Sequence, residues 1–203
     1  MLQISTVASD TLELLKRLQS MPELAKTRLV GGTALAFHLG HRLSIDLDIF
    51  GTFDPETITE TLQSEEFDDF FIFSESKVIK RYQINKVRVD IVKYDRYQWL
   101  EDAVIENNIR IAGLKDIAAM KVAAITNRGT KKDFIDMFFL LQIFDIQRIL
   151  EFYQKKYSDT NLYTAILSLG YFVDAEKDGM PKMLIPTSWN DVKKRIAAAV
   201  KEI

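Results

Sequence analysis

Leu12, Leu14, Leu15 and Leu18 recur at near-helical spacing and predict an amphipathic helix over residues 9–19, interrupted by Met21-Pro22. Residues 27–30 form a brief apolar run, read as a buried strand, that leads into Gly31-Gly32. Residues 33–39 are apolar and alanine-rich and predict a short buried helix, with Gly40 as its stop. The period then changes. In Ser44-Ile45-Asp46-Leu47-Asp48-Ile49-Phe50, acids alternate with large aliphatics. Strand side chains repeat every two residues, so this stretch predicts Asp46 and Asp48 on one face and Ile45, Leu47 and Ile49 on the other.

Asp54-Pro55 resembles an N-cap followed by proline at the first helical position, starting a helix that runs to about residue 64. Residues 71–74, 78–84 and 87–92 read as three strands, with Asn85-Lys86 as a tight turn. In the third, Val87, Val89 and Ile91 share one face, while Arg88 and Asp90 share the other. A short strand near Ile109 precedes a helical region: residues 114–126 and 132–143, separated by Asn127-Arg128-Gly129, then a helix capped by Asp145, then residues 161–173. Asp178-Gly179 and Pro181 mark a loop, and Ser188 with Asp191 resembles a capping box opening a last helix. The predicted class is α+β: a small mixed β-sheet core flanked by helices over residues 1–112, with a C-terminal helical part, residues 113–203, packed on it.

Composition narrows the function classes. A chain of 203 residues with 47% hydrophobic and 28% charged residues is long enough to bury a real core. No cysteine means no disulfide framework, thiolate metal site or cysteine nucleophile. A net charge of −2 is not that of a general nucleic-acid binder. The one dense basic stretch, Lys115, Lys121, Arg128, Lys131 and Lys132, would instead steer phosphate locally. The first twenty residues mix apolar and charged types, unlike a signal peptide, and the most apolar run, residues 137–144, is too short to span a bilayer. A cytoplasmic protein without a membrane partner is the expectation.

Two carboxylates at i and i+2, joined by Asp90 from another strand, would make an oxygen-rich cup for Mg²⁺, or Mn²⁺ in its place. The glycine pair at a helix N-terminus would bring backbone N–H groups close to phosphate, and Thr33 would add a hydroxyl. Each signal has a plainer reading: a glycine pair also makes an ordinary turn, and alternating acids also make a solvated strand face. His38 and His41 flank a glycine at a helix end, off the geometry of paired ligands, and read as loop or surface residues. Neither a Ser/His/Asp triad nor a P-loop can be assembled from this sequence.

Val30-Gly31-Gly32, a helix, then Asp46-Leu47-Asp48 resembles the glycine-pair and Asp-x-Asp signature of polymerase-β-like nucleotidyltransferases. The wording LVGGTALAFHLGHRLSIDLDIF is closer to the AbiEii/AbiGii-type toxin family of that superfamily. Lys121 within DIAAMKVAAI, followed by RGTKKDFID, is similar to that family's later motifs, in which a helix carries a lysine and the next opens with a basic residue and aspartate. The resemblance spans residues 27–144. It implies that Gly31 and Gly32 cradle a triphosphate, that Asp46 and Asp48 hold the metal, and that Asp90 serves as base or third ligand. It also implies that Lys121 meets phosphates and that Asp133 and Asp136 supply the last acidic motif. Without the family, Lys121 reads as the wet edge of an amphipathic helix, Asp133 as a helix-dipole partner, and Asp136 as either a packed hydrogen-bonder or a site residue.

The function these expectations converge on is transfer of a nucleoside monophosphate from a nucleoside triphosphate to an acceptor hydroxyl, on tRNA or protein. The resemblance adds a setting: the toxin of a toxin–antitoxin or phage-defence pair, with a cognate antitoxin as partner. The rivals are a non-catalytic nucleotide-sensing or partner-binding module on the same fold, and a metal-dependent phosphohydrolase.

Overall fold

The computed structural model describes residues 1–203. Helix α1 (Ser9–Ser20) precedes β1 (Thr27–Val30), α2 (Gly31–Leu39) and β2 (Leu47–Gly51). Next come α3 (Ile58–Ser64), β3 (Phe70–Glu75), β4 (Ile79–Ile84), β5 (Val87–Lys93), β6 (Val104–Glu106) and β7 (Ile109–Ile111). The remainder is helical: α4 (Leu114–Asn127), α5 (Lys131–Leu140), α6 (Ile146–Lys156), α7 (Leu162–Leu169) and α8 (Trp189–Val200). The strands form one seven-stranded sheet in the order β3-β4-β5-β2-β1-β7-β6. The sheet is mixed, as expected: β1 runs antiparallel to β2 and parallel to β7, while β2 runs parallel to β5. The α+β class predicted from the pattern of periods is the observed one.

Local chemistry explains the connections. Asn85 and Lys86 both take positive φ, 50° and 66°, which suits a two-residue hairpin between right-twisted strands. Asn107 and Asn108 do the same, at 51° and 63°, between β6 and β7. That second hairpin went unread because β6 is three residues long and largely exposed, with no alternation to detect. Asp145 and Ser188 cap α6 and α8 through bonds from Arg148 N and Asp191 N.

Three boundaries differ from expectation. Residues 44–46 lie outside β2, and Ile45 is 65% exposed, so the predicted inward row begins at Leu47. Helix α3 starts only at Ile58, because the Asp54 carboxylate first ties down the Glu56 N–H in a turn. Helix α7 stops at Leu169, ahead of a separate short turn at Asp174–Lys177.

Forty-four buried apolar residues make a single core that takes in Leu15, Leu35 and Ile49 from the first half and Ile117, Phe134, Ile149 and Val192 from the second. Helix α4 packs against α2, α5, α6 and α7, which leaves its own polar positions with nowhere to go but into pairs. Thus Asp116, fully buried, is bonded to Lys156 Nζ at 2.6 Å and to the Leu100 N–H at 3.0 Å. No helix is long and apolar enough to cross a membrane.

Candidate active site

The site begins at the end of β1. Gly31 adopts φ +70°, where a side chain is strained, and a Cβ there would collide with Asp48 Oδ2. A Cβ on Gly32 would collide with Arg42 Nη2 and lie 3.5 Å from Asp136 Oδ2. A side chain at either position would displace a charged group that the backbone approaches closely, which goes beyond an ordinary turn. The pair forms the first turn of α2 rather than a loop before it.

Asp48 sits on β2, paired with Val30 on one side and with Asp90 of β5 on the other. Burial, with Asp90 and Asp46 close by, pushes its carboxyl up to about 6, despite the opposing pull of Lys121 and Arg128. Asp46 lies just before the strand, where the Thr33 hydroxyl holds its carbonyl. Thr33 is also 2.8 Å from Ser44 Oγ, so its hydroxyl fixes the turn into β2. Asp90 lies 3.4 Å from both Arg81 Nε and Arg88 Nε. It stands beside Asp48 but does not line the cleft described next.

Beneath the acids lies a buried ion network. Asp136, fully buried, accepts from Arg42 at 2.8 and 3.0 Å, bonds His41 Nε2 at 2.8 Å, and pairs with Lys121 Nζ at 2.5 Å. Asp133 accepts from Lys121 at 3.0 Å, from Arg128 at 2.9 and 3.2 Å, and from Thr130 at 2.7 Å. Burial works against both carboxylates, yet Lys121, with Arg42 and His41 for Asp136 and Arg128 for Asp133, holds them below the usual range. At Lys121, Asp136 and Asp133 in turn outweigh burial and the nearby Arg42, and hold it a cation. Three cations face two carboxylates here, so the network carries an excess positive charge below the Asp46–Asp48 pair.

His41 lies in a loop, as expected, but is fully buried rather than at the surface. Burial lowers its pKa despite the Asp136 bond, so the imidazole is neutral. Its contact with the carboxylate assigns the proton to Nε2 and leaves Nδ1 with no partner. Its ring lies 4.8 Å from that of Phe139. His38 is partly buried, with Nε2 2.9 Å from the Ala112 carbonyl. Arg42 was not singled out from the sequence. An arginine between a histidine and a leucine in a loop gives no local sign of burial.

These elements enclose a cleft of about 400 Å³ with no apolar residue in its lining. Gly32, Thr33, Asp46, Asp48, Lys121 and Asp133 line it, as does Arg128. The remaining wall comes from Arg42 and Ser44 in the loop before β2, from Thr130 and Lys132 at the start of α5 and from Asp178-Gly179 near the C-terminus. That last segment is held across the site: Leu43 N donates to Lys182 O, and Leu184 N to His41 O, both at 2.9 Å. Of the expected site residues, Gly31 supports Asp48 from behind, Asp136 lies under the floor, and Asp90 stands to one side.

The Asp46 and Asp48 carboxylates have no salt-bridge partner. Hard oxygens whose burial and mutual repulsion are only partly offset by Lys121 and Arg128 suit a divalent cation completed by ligand phosphates, the way Mg²⁺ is usually held. No three acidic or imidazole side chains are gathered into a ready-made cluster.

A mixed sheet carrying a glycine turn against paired strand carboxylates, with helices closing the cleft, defines a nucleotidyltransferase-like protein. The chain belongs to the family described as nucleotidyl transferase AbiEii toxin, type IV toxin–antitoxin system, whose model matches residues 13–202. It is 34% identical over 189 residues to the protein aq_aa25 of Aquifex aeolicus, covering 86% of each chain. In fold it is similar to JHP933 from Helicobacter pylori, with a TM-score of 0.59 at 17% identity over 97% of this chain and 92% of that one. It is also similar to MenT4, a nucleotidyltransferase toxin of Mycobacterium tuberculosis, with a TM-score of 0.52 at 13% identity over 97% and 86%.

Proposed function

We propose that the protein transfers a nucleoside monophosphate from a nucleoside triphosphate to a hydroxyl of tRNA or protein, as the toxin of a toxin–antitoxin pair. The observation that carries this reading is the contact of Gly31 with Asp48. It sets the phosphate-seeking backbone at the start of α2 directly behind the paired carboxylates, with the neighbouring Gly32 lining the wholly polar cleft. Asp46 and Asp48 would hold Mg²⁺, or Mn²⁺, which when bound supplies charge neutralisation at the phosphates. In the step, the acceptor oxygen forms a bond to the α-phosphorus and the bond to the β-phosphate bridge breaks. Pyrophosphate leaves, and the acceptor's proton passes to bulk water, because Asp90 stands outside the cleft and is paired with Arg81 and Arg88. Lys121 and Arg128 keep Asp133 in place and lend positive potential to the cleft floor.

The pairing of Asp90 with two arginines favours one alternative, a module that binds nucleotide without turning it over. One experiment separates the readings. The protein is incubated with each labelled triphosphate, Mg²⁺ and total RNA or lysate. We expect one macromolecule to become labelled by the wild type and not by Asp46→Ala, whose carboxylate has no structural partner to lose. Robust transfer by a folded Asp46→Ala protein would overturn the mechanism, and triphosphate binding without transfer would favour the module.

A further inference from the structure

We propose that Lys132 is the side chain that binds the phosphates of the triphosphate, from the wall that the helical half contributes. This rests on the nucleotide-transfer reading above and assigns the phosphate contact to a residue other than Lys121.

Four basic side chains line the cleft: Arg42, Lys121, Arg128 and Lys132. Three are already committed. Arg42 is 3% exposed and has Nε and Nη2 on Asp136. Lys121 is 4% exposed and lies between Asp133 and Asp136. Arg128 places Nε and Nη2 on Asp133. Swinging any of these onto a ligand would leave a buried carboxylate short of a cation, which is strongly unfavourable. Lys132 differs in the respect that decides the matter: it is exposed, as Arg128 is, but it has no carboxylate partner. A phosphate reaching Lys132 displaces nothing.

The surroundings fit. Lys132 is the second residue of α5, so phosphate there would also meet the favourable end of the helix dipole. Its neighbour Lys131 turns the other way and pins the opposing segment, with its N–H on Asp178 Oδ2 at 2.9 Å and Nζ on the Asp178 carbonyl. Beside them, a Cβ on Gly179 would meet nothing within 4 Å, so the wall has room for a ligand. The cleft thus sets unpaired acids at Asp46 and Asp48 against an unpaired ammonium at Lys132, which stands beside Asp178, whose Oδ2 is taken up by the Lys131 N–H. A metal–triphosphate carries both complementary charges. An ammonium acts on phosphate as a point charge, so an arginine at the same place should substitute in part.

Binding of ATP, GTP, CTP and UTP, each with MgCl₂, is measured by calorimetry for the wild type, Lys132→Ala and Lys132→Arg, with the matching nucleosides and tripolyphosphate as probes. We expect Lys132→Ala to weaken the preferred triphosphate and tripolyphosphate by about tenfold or more, the size of one charge-assisted contact. Nucleoside affinity and thermal stability should not change, and Lys132→Arg should recover most of the loss. Equal triphosphate affinity in wild type and Lys132→Ala, with transfer intact, would overturn the role of Lys132 alone. No triphosphate binding by the wild type would overturn both this inference and the reading beneath it.

Discussion

At the scale of single residues, Asp48 and Asp133 are aspartates on the same cleft with opposite environments. Asp133 has three basic or hydroxyl partners in bonding range, whereas Asp48 has like charges nearby and none of those bonds. The Asp48 shift fixes a pH dependence. Its folded pKa, about 6, lies above its ordinary value of 3.8, so between those values the native state binds more protons than the unfolded chain. Stability from this group is therefore present at low pH and lost as pH rises toward and through 6. Asp48→Asn should stabilise the metal-free protein by on the order of 1 kcal/mol at pH 7–8 and have little effect near pH 4. Thermal denaturation across that range in the presence of a chelator measures it. An equal effect at both pH values would contradict the assigned cause.

At the scale of elements, two glycines, Gly31 behind Asp48 and Gly179 in the cleft wall, make a controlled pair. Gly31 opens α2 at positive φ against Asp48, whereas Gly179 lies in a loop where an added Cβ touches nothing. Gly31→Ala should cost about 1–2 kcal/mol for the backbone alone and displace Asp48, so that triphosphate binding is lost. Gly179→Ala should leave both melting temperature and binding close to wild type. Chemical denaturation and calorimetry on the two variants check the contrast. A Gly31→Ala protein that binds triphosphate normally would remove the glycine turn from the site. Much at this scale was legible beforehand. The strand before the glycines, the β3–β4–β5 meander and its Asn-Lys turn, and the caps of α6 and α8 all depend on local periodicity and turn chemistry. The short β6, the late start of α3 and the exposure of Ile45 depend on what the neighbours do, and local pattern cannot report that.

At the scale of the whole molecule, the buried network joins the two halves. Asp136 on α5 holds His41 and Arg42 from the loop after α2 and Lys121 from α4. Removing one partner of such a set leaves the others charged or polar and uncompensated, a loss of about 3–5 kcal/mol. Asp136→Ala should therefore destabilise the entire protein by roughly that amount. The two tryptophans, Trp99 and Trp189, stand one in each half. In urea, unfolding followed by fluorescence of single-tryptophan proteins should give coincident transitions, shifted together by Asp136→Ala. Separate midpoints would mean that the halves are independent and the network local. An Asp136 variant that loses activity through this route says nothing about direct chemistry at Asp136, which lies below the cleft floor.

Composition and order of residues determined a good deal by themselves. They set a helix–strand–helix–strand opening, two facing aliphatic strand rows with carboxylates on the far side, a helical second half, and a family signature at Gly31-Gly32, Asp46 and Asp48. Those are consequences of periods and steric preferences that act within a few residues. Which charges are free was decided only by the tertiary structure. Lys121, Arg128 and Lys132 look alike along the chain, but folding brings Asp133 and Asp136 to the first, Asp133 to the second, and no carboxylate to the third. His41 and Arg42 read as loop residues until the 182–185 segment and α5 cover them. The bonds of His41 and Arg42 to Asp136 join segments 95 and 94 residues apart. Those of Lys121 and Arg128 to Asp133 depend on how α4 and α5 pack, and a linear pattern holds no record of either.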